Sequence, residues 1–404
     1  MEGTLSDAPV LSYVTEVAAG SDFILVDIGC SGGIDPVWRR FGRRLRALAI
    51  DPNLAEIERL RAAEADLRIE YVAAFAGLPP EHPFALRKAD RGDWGRNPWD
   101  RLSVARSIDI LKTRELSNEE KTAANLWPET ELADTAQTIV VPDYLRGRGV
   151  DSVDFLKIDI DGKDFDVLNS FDEALDGLGV LGLGLEVNFF GSDQDTDHTF
   201  HNTDRFLKAR GYELFNLTVR RYSAAALPSH YRYSFPAQSE FGRPLQGDAV
   251  YIRDLGSPEY AAFAARLPPA RLLNLVCIFA AFNLPDCAAE IALRYRDQLS
   301  TLCDIEHLLD LLVFQVQQDA EEPLTYRQYM ERFDVQDAMF YPGAKPLIAQ
   351  SHTSELTALR AEIESLKAVL AAIERSKFWK LRRAWVKLKS SLGLVRSTRA
   401  SASR

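Results

Sequence analysis

The 404-residue chain is 46% apolar and 26% charged, the balance of a soluble globular protein. With 48 Lys and Arg against 59 Asp and Glu, its net charge of −11 argues against a general nucleic-acid binder. Four cysteines (Cys30, Cys277, Cys287 and Cys303) are too few for a disulfide framework and suit a reducing compartment. The opening MEGTLSDAPVLSYVTEVAAG has no basic region followed by an apolar core, and no 18-residue apolar run occurs anywhere. The expectation is a cytoplasmic protein with no signal peptide and no membrane span.

Strand and helix alternate through the first 76 residues. FILVDIG (23–29) reads as a strand, DPVWRRFGRR as a short helix, LRALAIDPN (45–53) as a strand ending in Asp51, LAEIERLRAAEADL as an amphipathic helix and RIEYVAAF as a third strand. This order predicts a parallel, doubly wound α/β sheet. Residues 78–138 break the rhythm with Pro, Trp, Arg and Asp, and read as an insert forming part of a substrate wall. Trp94 and Trp99 within it offer flat faces for stacking or anchor the loop locally. VPDYLRGRGV then predicts a helix, DFLKID a strand, KDFDVLNSFDEAL a helix, VLGLGLEVNFF a strand, TDRFLKARGYELFNL a helix and strand, and GDAVYIRD (247–254) a last strand. Seven strands result, the final two being candidates for antiparallel pairing.

Beyond residue 257 the strand pattern stops, and residues 257–350 read as helices broken at Pro. Leu356, Leu359, Ile363, Leu366, Leu370 and Ile373 are spaced 3, 4, 3, 4, 3, a short coiled-coil seam over 351–376. From Arg375 onward the chain holds ten Lys or Arg and no acid, which leaves 38 basic against 59 acidic residues before it. Phe378, Leu381, Trp385, Leu388 and Leu392 line one side of this stretch, so 377–404 reads as a basic amphipathic helix suited to an anionic membrane surface. Docking of that tail on the acidic body of its own chain is the alternative.

Two segments carry chemistry. In VDIGCSGGID (26–35) a strand runs into a glycine turn, which brings backbone N–H groups close to a ligand. The glycines stand at 29, 32 and 33, so the dinucleotide fingerprint G-x-G-x-x-G is absent and an NAD-dependent oxidoreductase is disfavoured. Asp51, 22 residues after Gly29, suits bidentate hydrogen bonding to a ribose diol, or else caps the next helix. The second segment, DFLKIDIDGKDF (154–165), read as a strand, puts Lys157, Asp159 and Asp161 on one face. Charges there fit the carboxyl end of a central strand, where ligands bind in open α/β sheets, with Lys157 offsetting Asp159 and Asp161 serving as helix N-cap.

The D-x-G-x-S-x-G run from Asp27 to Gly33 resembles motif I of S-adenosylmethionine-dependent methyltransferases, and VDFLKIDIDGKDFDVL closely resembles the signature of the FkbM-type methyltransferase family, written around K-I-D-x-E-G. Asp161 stands where that signature more often has Glu. The resemblance spans residues 20–256 and implies a seven-stranded Rossmann-like class I methyltransferase sheet in a 1–256 domain. It also implies O-methylation by S-adenosylmethionine, with Asp27, Gly29, Cys30, Ser31, Gly33, Asp51, Pro52 and Asp159 at the cofactor. Candidate general bases are Asp159, Asp161, Glu186 and the pair His198 and His201, both histidines also suiting surface or capping positions. Asp159, Asp161 and Glu186 would alternatively hold a divalent metal, the less favoured reading. Stretches RRYS (220–223) and FGRPLQGDAVYIRD (241–254) resemble polysaccharide-cluster members of the family, with Arg220 and Arg221 either meeting a phosphate or uronate or simply solvated. The expected substrate is a saccharide hydroxyl of a surface polysaccharide or its lipid-linked precursor, met at the membrane by a homo-oligomer. A methyltransferase for another small hydroxylated molecule and a non-catalytic coiled-coil scaffold remain the alternatives.

Overall fold

Apolar runs interrupted at glycine or aspartate build the sheet. In a computed structural model the described residues are 9–18, 20–90, 137–160, 162–191, 193–222, 242–317, 323–336 and 367. The chain divides into two compact units, Met1–Tyr326 and Arg327–Arg404. In the first unit β1 (Phe23–Ile28), β2 (Leu45–Asp51), β3 (Ile69–Ala76), β4 (Gln137–Ile139), β5 (Phe155–Ile158), β6 (Gly182–Asn188), β7 (Glu213–Tyr222) and β8 (Arg243–Ile252) form one sheet in the order β4-β3-β2-β1-β5-β6-β8-β7. β4 to β6 run parallel to one another, and β8 lies antiparallel to both β6 and β7.

The expected seven strands are therefore eight among the described residues. The additional β4 has only three residues, Gln137 and Thr138 are exposed, and the segment lacks the apolar alternation that marks a strand. It pairs with the far end of β3 at Ala74–Ala76 and so closes the outer edge. The antiparallel pairing of the last two strands is as expected. The strand expected over 154–159 runs from Phe155 to Ile158, so Asp159 lies in the turn beyond it.

The helices of the first unit are α1 (Pro9–Val17), α2 (Pro36–Arg39), α3 (Leu54–Ala63), α4 (Pro83–Asp90), α5 (Val141–Gly147), α6 (Asp164–Phe171), α7 (Ala174–Gly177), α8 (Phe200–Lys208), α9 (Ala261–Ala264), α10 (Pro269–Ala281), α11 (Pro285–Arg294), α12 (Arg296–Leu299) and α13 (Ile305–Val316). One face of the sheet, with Phe23, Leu25, Phe155, Val250 and Ile252, is buried against α1, α10, α11 and α13. The other, with Val26, Ile28, Leu156, Leu183, Leu185 and Val187, is buried against α5, α6, α7 and α8. Alternation along each strand divides the apolar residues between these two cores.

Pro269 and Pro285 occupy the first turns of α10 and α11, where a missing N–H leaves nothing unpaired. The helical layer is tied to the amino end of the sheet by buried polar contacts. Arg271 Nε donates to Asp154 Oδ1 at 3.0 Å, and the second Asp154 oxygen accepts from Ile24 N at 2.7 Å. This fastening leaves the carboxyl ends of β1, β2, β5 and β6 at the opposite edge of the sheet. In the second unit the described residues 327–336 are helical. The coiled-coil seam, apart from Lys367, and the basic tail lie outside the described residues, as do Trp94 and Trp99.

Candidate functional site

Register places Asp27 of β1 beside Lys157 of β5. Lys157 Nζ lies 3.0 Å from Asp27 Oδ1, 3.2 Å from the Gly29 carbonyl oxygen and 3.5 Å from Asp159 Oδ2. One ammonium thus joins the end of β1, the glycine turn and the end of β5. Burial pushes the Asp27 carboxyl up from its ordinary range, opposed by the Lys157 charge. Burial also disfavours the Lys157 charge, but Asp27 and Asp159 outweigh it and hold the ammonium above its ordinary value.

The chain approaches itself closely here. Gly29 has φ +88°, its N–H donates to Ile50 O at 2.8 Å, and a Cβ built on it would sit 1.8 Å from the Asp159 carbonyl oxygen. Only glycine fits between the ends of β1 and β5. The turn continues with Gly33 N donating to Cys30 O at 2.8 Å, and Gly32 N donating to Glu56 Oε1 at 3.0 Å. Glu56 is itself held by Arg59, which with the Gly32 amide lowers its carboxyl to about 2. Cys30 is buried and its thiol is pushed up by that burial, so the neutral side chain packs rather than reacts.

Asp51 is the last residue of β2 and is mostly buried. Its carboxyl is raised by burial and opposed by the Asn53 and Ser31 amides, Asn53 N lying 2.8 Å from Oδ1. The cap of α3 is Asn53, whose Oδ1 accepts from Glu56 N, so Asp51 is not that cap. Instead it joins the glycine turn to the end of β2. Pro52 follows it, partly exposed.

The remaining candidates form a second cluster on β6 to β8. Glu186 lies inside β6, opposite Asp248 of β8. Arg220 of β7 bridges the two carboxylates, Nη1 to Glu186 Oε1 at 3.0 Å and Nη2 to Asp248 Oδ1 at 2.6 Å. Arg220 is therefore not simply solvated, and the bridge directs its positive charge at protein carboxylates rather than at an incoming phosphate. His201 is exposed, but the His198 side chain is 7% exposed and braced. Its Nε2 lies 2.9 Å from the Glu186 carbonyl oxygen, which only accepts, so Nε2 carries a proton, and Nδ1 lies 3.3 Å from Asn188 Nδ2. Both ring nitrogens are engaged within the protein, which corrects its reading as a surface or capping residue.

Asp161 lies outside the described residues. The helix it was expected to cap begins at Asp164, and Asp164 does the holding. Its oxygens accept from Ile160 N and Gly162 N, both at 3.1 Å, and lie 3.8 Å from His198 Nδ1. Burial raises the Asp164 carboxyl, opposed by His198 and the two amides. No group of three or more His, Cys, Asp or Glu is placed to hold a metal among the described residues. Sequence reasoning gave no role to Glu56, Asp164, Asn188 or Asp248, because the partners they meet across the fold (Gly32, His198, His198 and Glu186) lie 24, 34, 10 and 62 residues away in the chain.

The two segments read from the sequence thus meet at one edge of the sheet, joined by Lys157. Residues 109–214 match the family described as Methyltransferase FkbM domain. The FkbM match contains β5, α6, β6 and α8, and with them Lys157, Asp159, Glu186 and His198. The glycine turn and Asp51 precede it, so the candidate site is built half from within the FkbM span and half from outside it. No curated protein sequence matches the chain. Among solved structures, precorrin-6y C5,15-methyltransferase from Geobacter metallireducens aligns at 11% identity over 63% of this chain and 91% of its own, with a TM-score of 0.26. A TehB-like SAM-dependent methyltransferase from Corynebacterium glutamicum aligns at 10% identity over 60% and 87%, with a TM-score of 0.24. Precorrin-8w decarboxylase from Methanobacterium thermoautotrophicum aligns at 14% over 60% and 88%, with a TM-score of 0.25.

Proposed function

We propose that the chain is an S-adenosylmethionine-dependent O-methyltransferase acting on a sugar hydroxyl of a bacterial surface polysaccharide or its lipid-linked precursor. The observation that carries this reading is the meeting of the glycine turn, Asp51 and Asp159 at the carboxyl ends of β2, β1 and β5. Open α/β sheets bind ligands outside these ends. The residues fit the cofactor: the turn brings backbone close to a ligand, Asp51 offers a carboxylate for a ribose diol, and Asp159 presents a partly exposed carboxylate beside it. The FkbM match supports methyl transfer.

When bound, the cofactor supplies a methyl group on a sulfonium. The protein's part is to hold the nucleoside, align an acceptor hydroxyl and exclude water. The Glu186–Arg220–Asp248 group, one strand further along the sheet, lies on the side where the acceptor would sit. For the basic stretch 377–404 we propose contact with an anionic membrane surface, and for the seam at 351–376 self-association. The first experiment is calorimetric titration of S-adenosylmethionine and S-adenosylhomocysteine into wild type and Asp51→Ala. Micromolar binding lost in the variant is the expected result, followed by methyl transfer to glycan acceptors. A folded wild type that binds neither nucleoside would overturn the reading.

A further inference from the structure

β5 stops at Ile158, opposite Leu185, so Glu186 and Asn188 of β6 run on past the end of their parallel neighbour. The His198 ring meets this overhang. Its Nε2 donates to the Glu186 carbonyl oxygen at 2.9 Å, and its Nδ1 lies 3.3 Å from Asn188 Nδ2 and 3.8 Å from Asp164 Oδ2. Asn188 Nδ2 also donates to the His198 carbonyl oxygen at 3.3 Å, while Asn188 Oδ1 is buried without a hydrogen-bond partner. Asp164 in turn accepts from Ile160 N and Gly162 N, both at 3.1 Å. One ring therefore touches both the strand that carries Glu186 and the carboxylate that shapes the turn after β5.

The side chains of His198 and Asp164 are 7% and 0% exposed. With so little water, a displaced member of the network finds no solvent partner for the one it loses, so its contacts are costly to break singly. The Asn188 amide fits this picture, since it leaves Oδ1 unsatisfied and keeps Nδ2 on His198. We propose that His198 is a positioning residue that couples the two clusters of the site. It holds the turn carrying Asp159 to the end of β6, so that a ligand ordering the turn also orders β6 beside Glu186. The inference rests on the methyltransferase reading, in which the turn serves the nucleoside and β6 the acceptor hydroxyl. Methyl transfer depends on aligning those two groups, and a small misplacement is costly. His198 acts through Asp164 and the Glu186 backbone rather than on the reacting atoms.

The test reads amide exchange at Ile160, Gly162 and Phe189, with and without S-adenosylhomocysteine, in wild type, His198→Ala and His198→Gln. Calorimetric titration of the same ligand accompanies it. The Phe189 N–H reports on the end of β6, because it donates to Leu245 O at 2.9 Å. In wild type the ligand should slow exchange at all three amides. In His198→Ala it should still slow Ile160 and Gly162 but no longer Phe189, and affinity should fall by roughly fivefold or more. A residue that only stabilised the fold would quicken exchange everywhere without removing the ligand's effect at Phe189. His198→Gln keeps a donor for the Glu186 carbonyl oxygen but loses the Asp164 end, so it carries the same comparison should His198→Ala not fold. Slowing at Phe189 that persists in the folded variants, or that never occurs in wild type, would overturn the proposal and leave the methyltransferase reading intact. If wild type binds no S-adenosylhomocysteine, that reading falls and the link is judged without ligand. Exchange at Ile160 and Gly162 roughly tenfold quicker in the variants then supports it, and unchanged exchange overturns it.

Discussion

Lys157 and Asp27 face each other in register across β5 and β1, with Nζ 3.0 Å from Oδ1, and neither side chain has much access to water. A buried pair of this kind is costly to break from one side, because the remaining charge has no solvent to turn to. The pair also explains why a central strand carries charge: Lys157 lies opposite a carboxylate, and Asp159 is already in the turn beyond β5.

Lys157→Met should destabilise the fold by about 3–5 kcal/mol near neutral pH, since Asp27 is left buried and unpaired. The pH dependence has a definite sign. Asp27 already has a folded-state pKa above its unfolded value, so its protonated form is favoured in the fold and stability falls as pH rises from the unfolded to the folded value. Removing Lys157 moves the folded value further up and widens that window. The gap between wild type and variant should therefore be small near pH 4 and grow toward pH 8. Urea unfolding at both pH values measures it, and Asp27→Asn in the Lys157→Met background should narrow it. An equal gap at the two pH values would count against the pairing argument.

Gly29 and Gly32 both have positive φ, +88° and +85°, yet they differ in what a side chain would meet. A Cβ at Gly29 would collide with the Asp159 backbone at 1.8 Å, and at Gly32 there is nothing within 4 Å. Gly32→Ala should cost only backbone strain, about 1–3 kcal/mol. Gly29→Ala adds displacement of the β5 turn, so it should cost more and weaken S-adenosylhomocysteine binding further. Thermal unfolding and titration of the two variants side by side give the order. Equal effects would mean that the close approach of the β1 and β5 turns has no energetic consequence.

The same contrast shows what the sequence makes legible. The Asp-x-Gly turn after an apolar run announces a strand end and a backbone approach, because local chemistry requires both. β1, β2, β5 and β6 are readable for the same reason, as apolar runs that end in Asp, Gly or Asn. β4 is not readable: QTI is stabilised by pairing with β3 rather than by its own pattern. The Arg220 bridge is also invisible locally. It depends on β8 inserting antiparallel between β6 and β7, which brings residues 34 and 28 positions apart onto one guanidinium. His198 illustrates the opposite error, in which a residue that chemistry makes attractive is tied at both nitrogens.

Asp164 anchors the turn that carries Asp159. It accepts from the amides of Ile160 and Gly162 and sits at the start of α6, where a carboxylate also meets the helix dipole favourably. Asp164→Ala leaves both amides without this acceptor and should cost about 1–3 kcal/mol. Asp164→Asn keeps one acceptor and should fall between the two. Amide exchange at Ile160 should quicken in the same order. Global destabilisation with unaltered exchange at Ile160 would move the role of Asp164 from the turn to the His198 side.

Arg220 tests whether the second cluster is a built site or a surface accident. Arg220 and Arg221 are neighbours in sequence, but only Arg220 spans two carboxylates; Arg221 Nη1 donates to the Gly242 carbonyl oxygen at 3.2 Å. Replacing Arg220 by Met leaves Glu186 and Asp248 facing each other across β6 and β8, both buried and both acidic. Like charges directly opposite in a sheet repel, and here little water is present to screen them. The loss should reach about 3–5 kcal/mol, against under about 1 kcal/mol for Arg221→Met. Adding Asp248→Asn to Arg220→Met removes one of the two charges and should recover part of the loss. Calorimetric unfolding of the four proteins gives the comparison. If Arg220→Met behaves like Arg221→Met, the bridge has no energetic weight and the acceptor side must be sought elsewhere along the sheet edge.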